Sequence, residues 1–347
     1  MTNKSSENSE ALSHLNYIIG IHRSGSTLLT KILNGNSQIK AIPEIPLTIF
    51  FANRYSNIKG KNRNLENSCK YYLSIYQKIR PKDLVNLNVN KIDFDSFHYQ
   101  SYHGFLSAVY ENFTIDGNSK LTKLIIDKNP FYTFHYKRLQ KLTPNPKFIV
   151  LVRDYRANIL SRKSKSLNKP TNVAFNAFRW RIFHKKLTKF QDNGDCIITR
   201  YEDLVTNQVA ELKRIYHFLN VNYESVDAGN SMVENVSTTI ENEKTKEFIN
   251  EHLQGLTKPV YQNRVEAWKL GLTLEEIELC EMICGNLGSI YGYGKTVQSK
   301  RRYVFLVCKN FKWYVKAIYS MYKEYPIYYL PLGIKLKRLQ KNMGKLR

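Results

Sequence analysis

The segment 16–34 constrains this chain more than any other, because it changes from strand-like to helix-like across one glycine-rich loop. Asn16–Ile21 is a short apolar run typical of a buried strand, and Ser26–Asn34 carries apolar residues at helical spacing. Between them, Gly20 and Gly25 let the backbone turn its N–H groups inward, while the following helix offers its positive N-terminal end. The segment therefore predicts a cradle for the phosphate end of a nucleotide.

The rest of the chain alternates strand-like and helix-like runs. Strands are predicted at 121–126, 147–152 and 195–200, and helices follow from about Arg156 and through 211–219. Such alternation favours an α/β fold of the P-loop type, with three layers and a central parallel sheet flanked by helices. We expect one domain over 16–292, in which 45–120 is a mainly helical insertion, and a basic helical extension over 293–347.

The charge of the chain favours anionic partners. Its net charge is +24, from 53 Lys and Arg against 29 Asp and Glu, and residues 295–347 alone hold fourteen basic residues and a single acid, Glu324. A nucleotide, a membrane surface or an acidic glycan would each suit such a charge, and so would nucleic acid. The extension is therefore either a peripheral set of helices packed on the domain or an aromatic, basic surface that contacts anionic lipid or an acidic acceptor.

Location and metal content are predicted from absences in the sequence. The first fifteen residues are polar, unlike a secretory signal, and no apolar run approaches the roughly 18–20 residues that span a bilayer. We expect a cytoplasmic protein, peripheral to the membrane if 295–347 contacts lipid. The five cysteines are scattered without CxxC spacing, so no metal site is expected. The sequence gives no basis for an oligomeric state.

The loop itself departs from a Walker A sequence at one position. GIHRSGST (20–27) has that spacing, but Ser26 stands where the lysine belongs. The missing charge can come from Arg23, whose guanidinium binds two anionic oxygens at once. An NTPase also needs a strand that ends in a magnesium-binding Asp, and the nearest match, Asp127, is followed by Lys-Asn-Pro. A P-loop nucleotide kinase or NTPase is thus the disfavoured alternative, together with a basic nucleic-acid or membrane-surface binder.

Two motifs resemble the sulfotransferases that use 3′-phosphoadenosine 5′-phosphosulfate (PAPS). HRSGSTLL (22–29) is similar to their 5′-phosphosulfate loop, and the strand ending in Arg153, with Ser161 eight residues later, is similar to their 3′-phosphate site. Tyr155 stands where many members have proline. The resemblance covers roughly 16–292, and it implies a metal-independent transfer of a sulfuryl group from PAPS to a hydroxyl, with no nucleic-acid partner.

Two looser matches extend the donor site. YEDL (201–204) resembles a segment that places Tyr201 by the adenine, and KPVYQNRVEAW (258–268) resembles a late segment that closes over the nucleotide. Lys165, one turn beyond Ser161, is a further candidate phosphate contact. The residues that the resemblance assigns to the donor are His22, Arg23, Ser24, Gly25, Ser26, Thr27, Leu28, Arg153, Ser161, Lys165, Tyr201, Lys258 and Arg264.

The catalytic groups follow from the tyrosylprotein sulfotransferase branch of that family. Glu44, in IPEIP and twenty-one residues after Arg23, resembles the carboxylate base of the branch. Lys128, in DKNPF, resembles the cation at the bridging oxygen of the leaving nucleotide, and Arg23 would assist it. His98 and His103 are rival bases, Glu44 is alternatively structural or orients the substrate, and Lys128 is alternatively a surface lysine. The acceptor stays open among saccharide, lipid-linked and peptide hydroxyls.

Overall fold

The computed structural model describes residues 14–42, 44–79, 89–113, 122–164, 172–190, 194–224, 263–297, 308–323 and 325–344. Its five strands form one parallel sheet in the order β2-β3-β1-β4-β5. The strands are β1 His14–Gly20, β2 Ile39–Ile42, β3 Leu124–Lys128, β4 Phe148–Val152 and β5 Cys196–Arg200. The predicted α/β fold with a central parallel sheet is confirmed, and the carboxyl ends of all these strands lie at one edge.

Helices cover both faces of the sheet because its strands bury alternate residues on opposite sides. In β1, Tyr17 and Ile19 belong to one hydrophobic cluster, and Ile18 belongs to the other. The helices are α1 Ser26–Asn34, α2 Leu47–Phe50, α3 Ala52–Tyr55, α4 Arg63–Ile79, α5 Tyr102–Glu111, α6 Tyr136–Leu142, α7 Tyr155–Ser164, α8 Val173–Leu187, α9 Tyr201–Thr206, α10 Gln208–Leu219, α11 Asn263–Glu266, α12 Trp268–Gly271, α13 Leu274–Gly288, α14 Phe311–Tyr322 and α15 Leu332–Gly344. Of these, α1, α9 and α10 contribute to the cluster that contains Ile18, and α4, α5 and α8 to the other.

The strand β3 begins and ends later than the sequence predicts. The predicted run is 121–126, whereas the strand is Leu124–Lys128, so that Asp127 and Lys128 are strand residues. Asp127 can lie inside the strand because three hydroxyl groups surround it. Thr48, Tyr110 and Tyr132 all donate hydrogen bonds to its Oδ2, at 2.7–2.9 Å. This carboxyl therefore joins α2 and α5, which lie within 45–120, to the sheet.

Asp127 makes the stability of the fold depend on pH. Burial raises the pKa of its carboxyl from 3.8 to about 7, against the opposing effect of its hydroxyl donors. A raised pKa means that the protonated form is favoured in the folded state, so this stabilisation is complete below about pH 4 and is lost as the pH rises through about 7. We expect the unfolding free energy of the wild type, minus that of Asp127→Asn, to fall by at most about 1.4 kcal/mol per pH unit over that range.

Urea denaturation of both proteins at several pH values measures this difference. The subtraction removes the contributions of the other titrating groups, including the buried His135, whose pKa burial lowers to about 3. A difference that stays constant with pH would contradict the assignment.

The described part of the extension is helical and packs on the domain. Helix α14 lies on α8, and α15 lies on α4. Between them, Tyr325 stacks on His135 with 4.7 Å between ring centroids. Within α15, the Lys335 ammonium donates to the carbonyl of Phe50. Burial lowers the pKa of Lys335 to about 8. Within the described residues, no helix combines the length and apolar character that crossing a membrane requires.

Candidate active site

The loop between β1 and α1 needs both of its glycines. Gly20 has φ 145°, and a Cβ added there would lie 2.3 Å from the carbonyl oxygen of Leu151. Gly25 has φ 92°, and a Cβ there would lie 2.4 Å from the ring of Tyr201. Arg23 also has a positive φ, 72°, which is uncommon for a residue with a side chain. The loop is therefore held in one conformation by the strand β4 on one side and an aromatic ring on the other.

Arg23 is the point at which the two predicted phosphate motifs meet. Its Nε donates to Oγ of Ser161 on α7 at 3.2 Å, and its carbonyl accepts from Nη1 of Arg153 at 3.1 Å. Arg153 leaves the end of β4 and is only 7% exposed. The structure thus brings Arg23, Arg153 and Ser161 into one cluster, although they come from three different elements.

Arg153 also contacts the two looser motifs. Its guanidinium lies over the ring of Tyr201, 4.1 Å from the centroid, and its Nη2 donates to the carbonyl of Arg264 at 3.2 Å. Trp180 Nε1 donates to the Arg153 carbonyl at 3.1 Å, which fixes the end of the strand. The ring that the resemblance places by the adenine therefore packs between Gly25 and a guanidinium.

Two residues that the sequence motifs did not indicate donate hydrogen bonds to the loop. Asn158 Nδ2 donates to the carbonyl of His22 at 3.0 Å and to Oγ of Ser24 at 3.3 Å. Arg162 donates to the same His22 carbonyl at 3.4 Å. Asn158 and Arg162 both lie on α7, within one turn of Ser161, so the helical spacing around Ser161 is the signal that could have found them.

Positive charge is crowded around this loop. Burial lowers the pKa of Arg23, and the charges of Arg153 and Arg264 lower it further. Burial, together with Arg179 and Arg23, lowers the pKa of Arg162 to about 9. Cations placed so close together repel one another, and a bound anion relieves the repulsion. Two buried atoms, Arg153 Nε and His22 Nδ1, have no hydrogen-bond partner among the described residues. The surroundings of the loop would therefore favour a bound anion.

Glu44 and Lys128 form an ion pair beside the loop. Glu44 follows the end of β2 by two residues, and Lys128 is the last residue of β3, the strand that pairs with β2. Lys128 Nζ lies 3.0 Å from Glu44 Oε1, with the lysine side chain 6% exposed and the glutamate 23%. The hydroxyl of Tyr76 donates to the Glu44 carbonyl at 3.0 Å, which fixes the backbone there.

His22 connects the ion pair to the loop. Burial lowers the pKa of its imidazole to about 4, against the opposing charge of Glu44, while Arg162, Arg179 and Lys128 lower it further. The loop and the ion pair therefore share one electrostatic site, in which the histidine is neutral at ordinary pH.

Comparison with known proteins places the chain in a family. A family model described as "Sulfotransferase family" matches residues 17–225, which include the loop, the ion pair and the cluster of Arg23, Arg153 and Ser161. The chain belongs to the sulfotransferase family. Its predicted resemblance to that family is confirmed.

Two curated relatives share part of this sulfotransferase. Both are named "Putative protein-tyrosine sulfotransferase": one, from Caenorhabditis elegans, is 32% identical over 111 residues, covering 30% of this chain and 42% of its own length. The other, from Caenorhabditis briggsae, is 25% identical over 214 residues, covering 60% of this chain and 65% of its own length. The chain thus spans less than two thirds of either relative.

Solved structures of sulfotransferase domains are also similar to this chain. One from the curacin biosynthetic pathway has a TM-score of 0.48 at 20% identity, and one from the Synechococcus PCC 7002 olefin synthase has a TM-score of 0.45 at 19% identity. Each match covers 80% of this sulfotransferase and 98% of the other domain.

The two rival bases, His98 and His103, make no described contact with the ion pair. His98 is exposed, in the segment before α5. His103 is half-buried, and burial followed by the charge of His14 lowers its pKa. His14 is the first residue of β1, whereas the loop follows the last, so a whole strand of roughly 20 Å separates the two ends. Neither histidine is placed beside the loop by these contacts.

The remaining residues predicted to bind the donor differ in burial, and two of them lie outside the part of the chain that the structure describes. Ser24 and Ser26 are buried, Leu28 is half-buried, and Thr27 is exposed at the start of α1. Lys165 and Lys258 lie outside the described residues. In the late segment, the Trp268 ring packs on the guanidinium of Arg156 at 4.0 Å. The same Arg156 is held by Asp154 at 2.7 Å and by Glu281 at 2.8 Å.

A metal site is not apparent in this sulfotransferase. Over the part of the chain that the structure describes, no three His, Cys, Asp or Glu side chains are grouped as metal ligands would be.

Proposed function

We propose that this sulfotransferase moves a sulfuryl group from PAPS to a hydroxyl acceptor, with Glu44 as the base. The observation that carries the proposal is the Glu44–Lys128 ion pair at 3.0 Å. The pair lies beside a loop whose Arg23 is close to the charges of two further arginines. A base and a cation are the two groups that such a displacement needs, one at the attacking oxygen and one at the leaving oxygen.

The donor site is proposed from the charges around the loop. Arg23 would contact the phosphosulfate end, and Arg153 with Ser161 would contact the 3′-phosphate, since guanidinium groups bind phosphate oxygens in pairs. Tyr201 already packs on Arg153, and the adenine would lie near that pair. Ser26 in the place of a Walker lysine supports a donor with a single 5′-phosphate rather than a triphosphate.

In the proposed transfer step, one proton moves to Glu44 and one negative charge develops near Lys128. PAPS supplies a sulfuryl group on a phosphate leaving group. The Glu44 carboxylate takes the proton from the acceptor hydroxyl as its oxygen forms a bond to sulfur. The bond from sulfur to the bridging oxygen breaks, and that oxygen keeps the electron pair as part of the 5′-phosphate. Lys128 stabilises this growing negative charge, and the ion pair holds both side chains where they act.

The acceptor is proposed at the level of a hydroxyl group. The relatives' names point to protein tyrosine, and saccharide and lipid-linked hydroxyls suit the same chemistry. The helices α2–α5, between β2 and β3, begin directly after Glu44, so this insertion is proposed to form the acceptor cleft.

Calorimetric titration with adenosine 3′,5′-bisphosphate, and separately with ATP and Mg²⁺, tests the donor class. We expect the bisphosphate to bind more tightly, because the arginine cluster offers a second phosphate site and the loop lacks the Walker lysine. Labelled PAPS and a panel of tyrosyl peptides, saccharides and lipid-linked sugars then test transfer. Tighter binding of ATP with Mg²⁺ would contradict the proposal and favour the kinase or NTPase alternative.

A further inference from the structure

Helix α14 presents an amphipathic face away from the domain. Phe311, Val315 and Tyr319 are 56%, 47% and 68% exposed, and their spacing of four residues places them in one row. On the opposite side of the helix, Ala317 and Met321 are buried, and α14 packs there on α8. The row is therefore not needed to hold the helix on the domain. We call these three residues the apolar row.

Lysines flank the apolar row. Lys309, Lys312, Lys316 and Lys323 are exposed on or next to α14. The ammonium groups of Lys312 and Lys316 lie 5.4 Å and 5.1 Å from the ring centroid of the half-buried Trp313. The sequence of 308–323 contains no acidic residue, and neither does that of α15, where Ile334 is 50% exposed beside Lys337 and Arg338.

We propose that the apolar row and its lysines form a docking surface for an anionic lipid bilayer. Aromatic and aliphatic side chains that enter the headgroup region, with lysines beside them, are the two contributions that hold a helix at a membrane surface. Charge complementarity selects this occupant: with no acid on the helix, its surface offers only positive charge to a partner. The proposal does not depend on sulfuryl transfer.

Helix α8 lies between the docking helix α14 and the charged groups around the loop. The ring of Phe175 on α8 is 6.4 Å from the Trp313 ring and 5.6 Å from the guanidinium of Arg179. The charge of Arg179 in turn lowers the pKa of His22 in the loop. Helix α8 therefore links α14 to the charged groups around the loop, and docking of α14 would hold this part of the domain near the bilayer.

Sedimentation of the full chain with vesicles tests the surface. We expect binding to phosphatidylcholine vesicles that contain phosphatidylserine, weak binding to phosphatidylcholine alone, and release at high salt. The variants Phe311→Ser/Tyr319→Ser and Lys312→Gln/Lys316→Gln should each bind the anionic vesicles about tenfold or more weakly.

Matched variants elsewhere on the surface control for hydrophobicity and charge. Leu270→Ser/Leu274→Ser removes two side chains that are 97% and 68% exposed, and Lys59→Gln/Lys70→Gln removes two exposed lysines of the insertion. Both controls should bind vesicles as the wild type does, and thermal unfolding should show that all four variants are folded.

Three results would overturn the proposal. One is the absence of binding to phosphatidylserine vesicles. Another is an equal loss of binding in the control and α14 variants, which would mean that the overall charge or hydrophobicity of the surface, and not α14, determines binding. The last is tight binding of duplex DNA or RNA that requires Lys312 and Lys316 but not Phe311 and Tyr319, without lipid binding, which would assign the surface to nucleic acid.

Discussion

Glu44→Gln is expected to lower turnover by about 10²- to 10⁴-fold while donor binding stays intact. Glutamine keeps the size of the side chain, and its amide oxygen can still accept from Lys128, which is 3.0 Å from Glu44 in the wild type. What is lost is the ability to take the proton of the acceptor hydroxyl. Turnover with labelled PAPS, and titration with adenosine 3′,5′-bisphosphate, measure the two effects separately.

The control for this variant is a second ion-paired glutamate. Glu211 lies 2.7 Å from Arg214 on α10, and Glu211→Gln should leave turnover unchanged. Near-normal turnover of Glu44→Gln would exclude Glu44 as the base and return the role to His98 or His103. A loss of donor binding equal to the loss of turnover would instead make Glu44 a residue that organises the loop.

Arg153→Gln is expected to weaken binding of adenosine 3′,5′-bisphosphate by about 10- to 100-fold, the usual effect of losing a hydrogen bond to a charged group. Binding of 5′-AMP should weaken much less, because that nucleotide has no 3′-phosphate for Arg153 to contact. Titration of both nucleotides against wild type and variant isolates the contribution of the 3′-phosphate.

The matched control is a second arginine that lies over a tyrosine ring at the end of a strand. Arg200 lies over the ring of Tyr293 at 4.9 Å, as Arg153 lies over Tyr201, and it pairs with Asp203 at 3.7 Å. Arg200→Gln should leave the binding of both nucleotides unchanged. Equal losses for the two nucleotides in Arg153→Gln would show that Arg153 acts through the loop, since it also donates to the carbonyls of Arg23 and Arg264.

The sequence predicts those helices and strands that a continuous pattern of apolar residues defines. The helix α1 has the predicted bounds, and β4 differs by one residue at its start, because an unbroken apolar run or a regular helical spacing defines each. The strand β2 was not predicted. It has four residues, and one of them is Lys40, whose ammonium is buried and donates to the carbonyl of Glu111. Nothing in four residues shows that a helix 71 positions later will satisfy that charge.

The sequence motifs predict which residues belong to the candidate site. They do not predict the tertiary contacts that bring those residues together. Glu44 and Lys128 came from two separate resemblances, and their closeness follows from the pairing of β2 with β3, which a linear sequence does not display. The contact of Tyr201 with Gly25 and the support of His22 by Asn158 join residues more than a hundred positions apart. Only the folded chain shows them.

The order of the strands places the residues proposed to bind the donor on one half of the sheet and the ion pair proposed to transfer the sulfuryl group on the other half. Arg23 and Arg153 follow β1 and β4, and Tyr201 follows β5, whereas Glu44 and Lys128 come from β2 and β3 on the other side. The insertion leaves the sheet after β2 and returns at β3, so within the sheet its exchange for the same segment of another sulfotransferase would involve only the second half. Under the function proposed above, such chimeras would keep the same donor and accept different hydroxyl compounds.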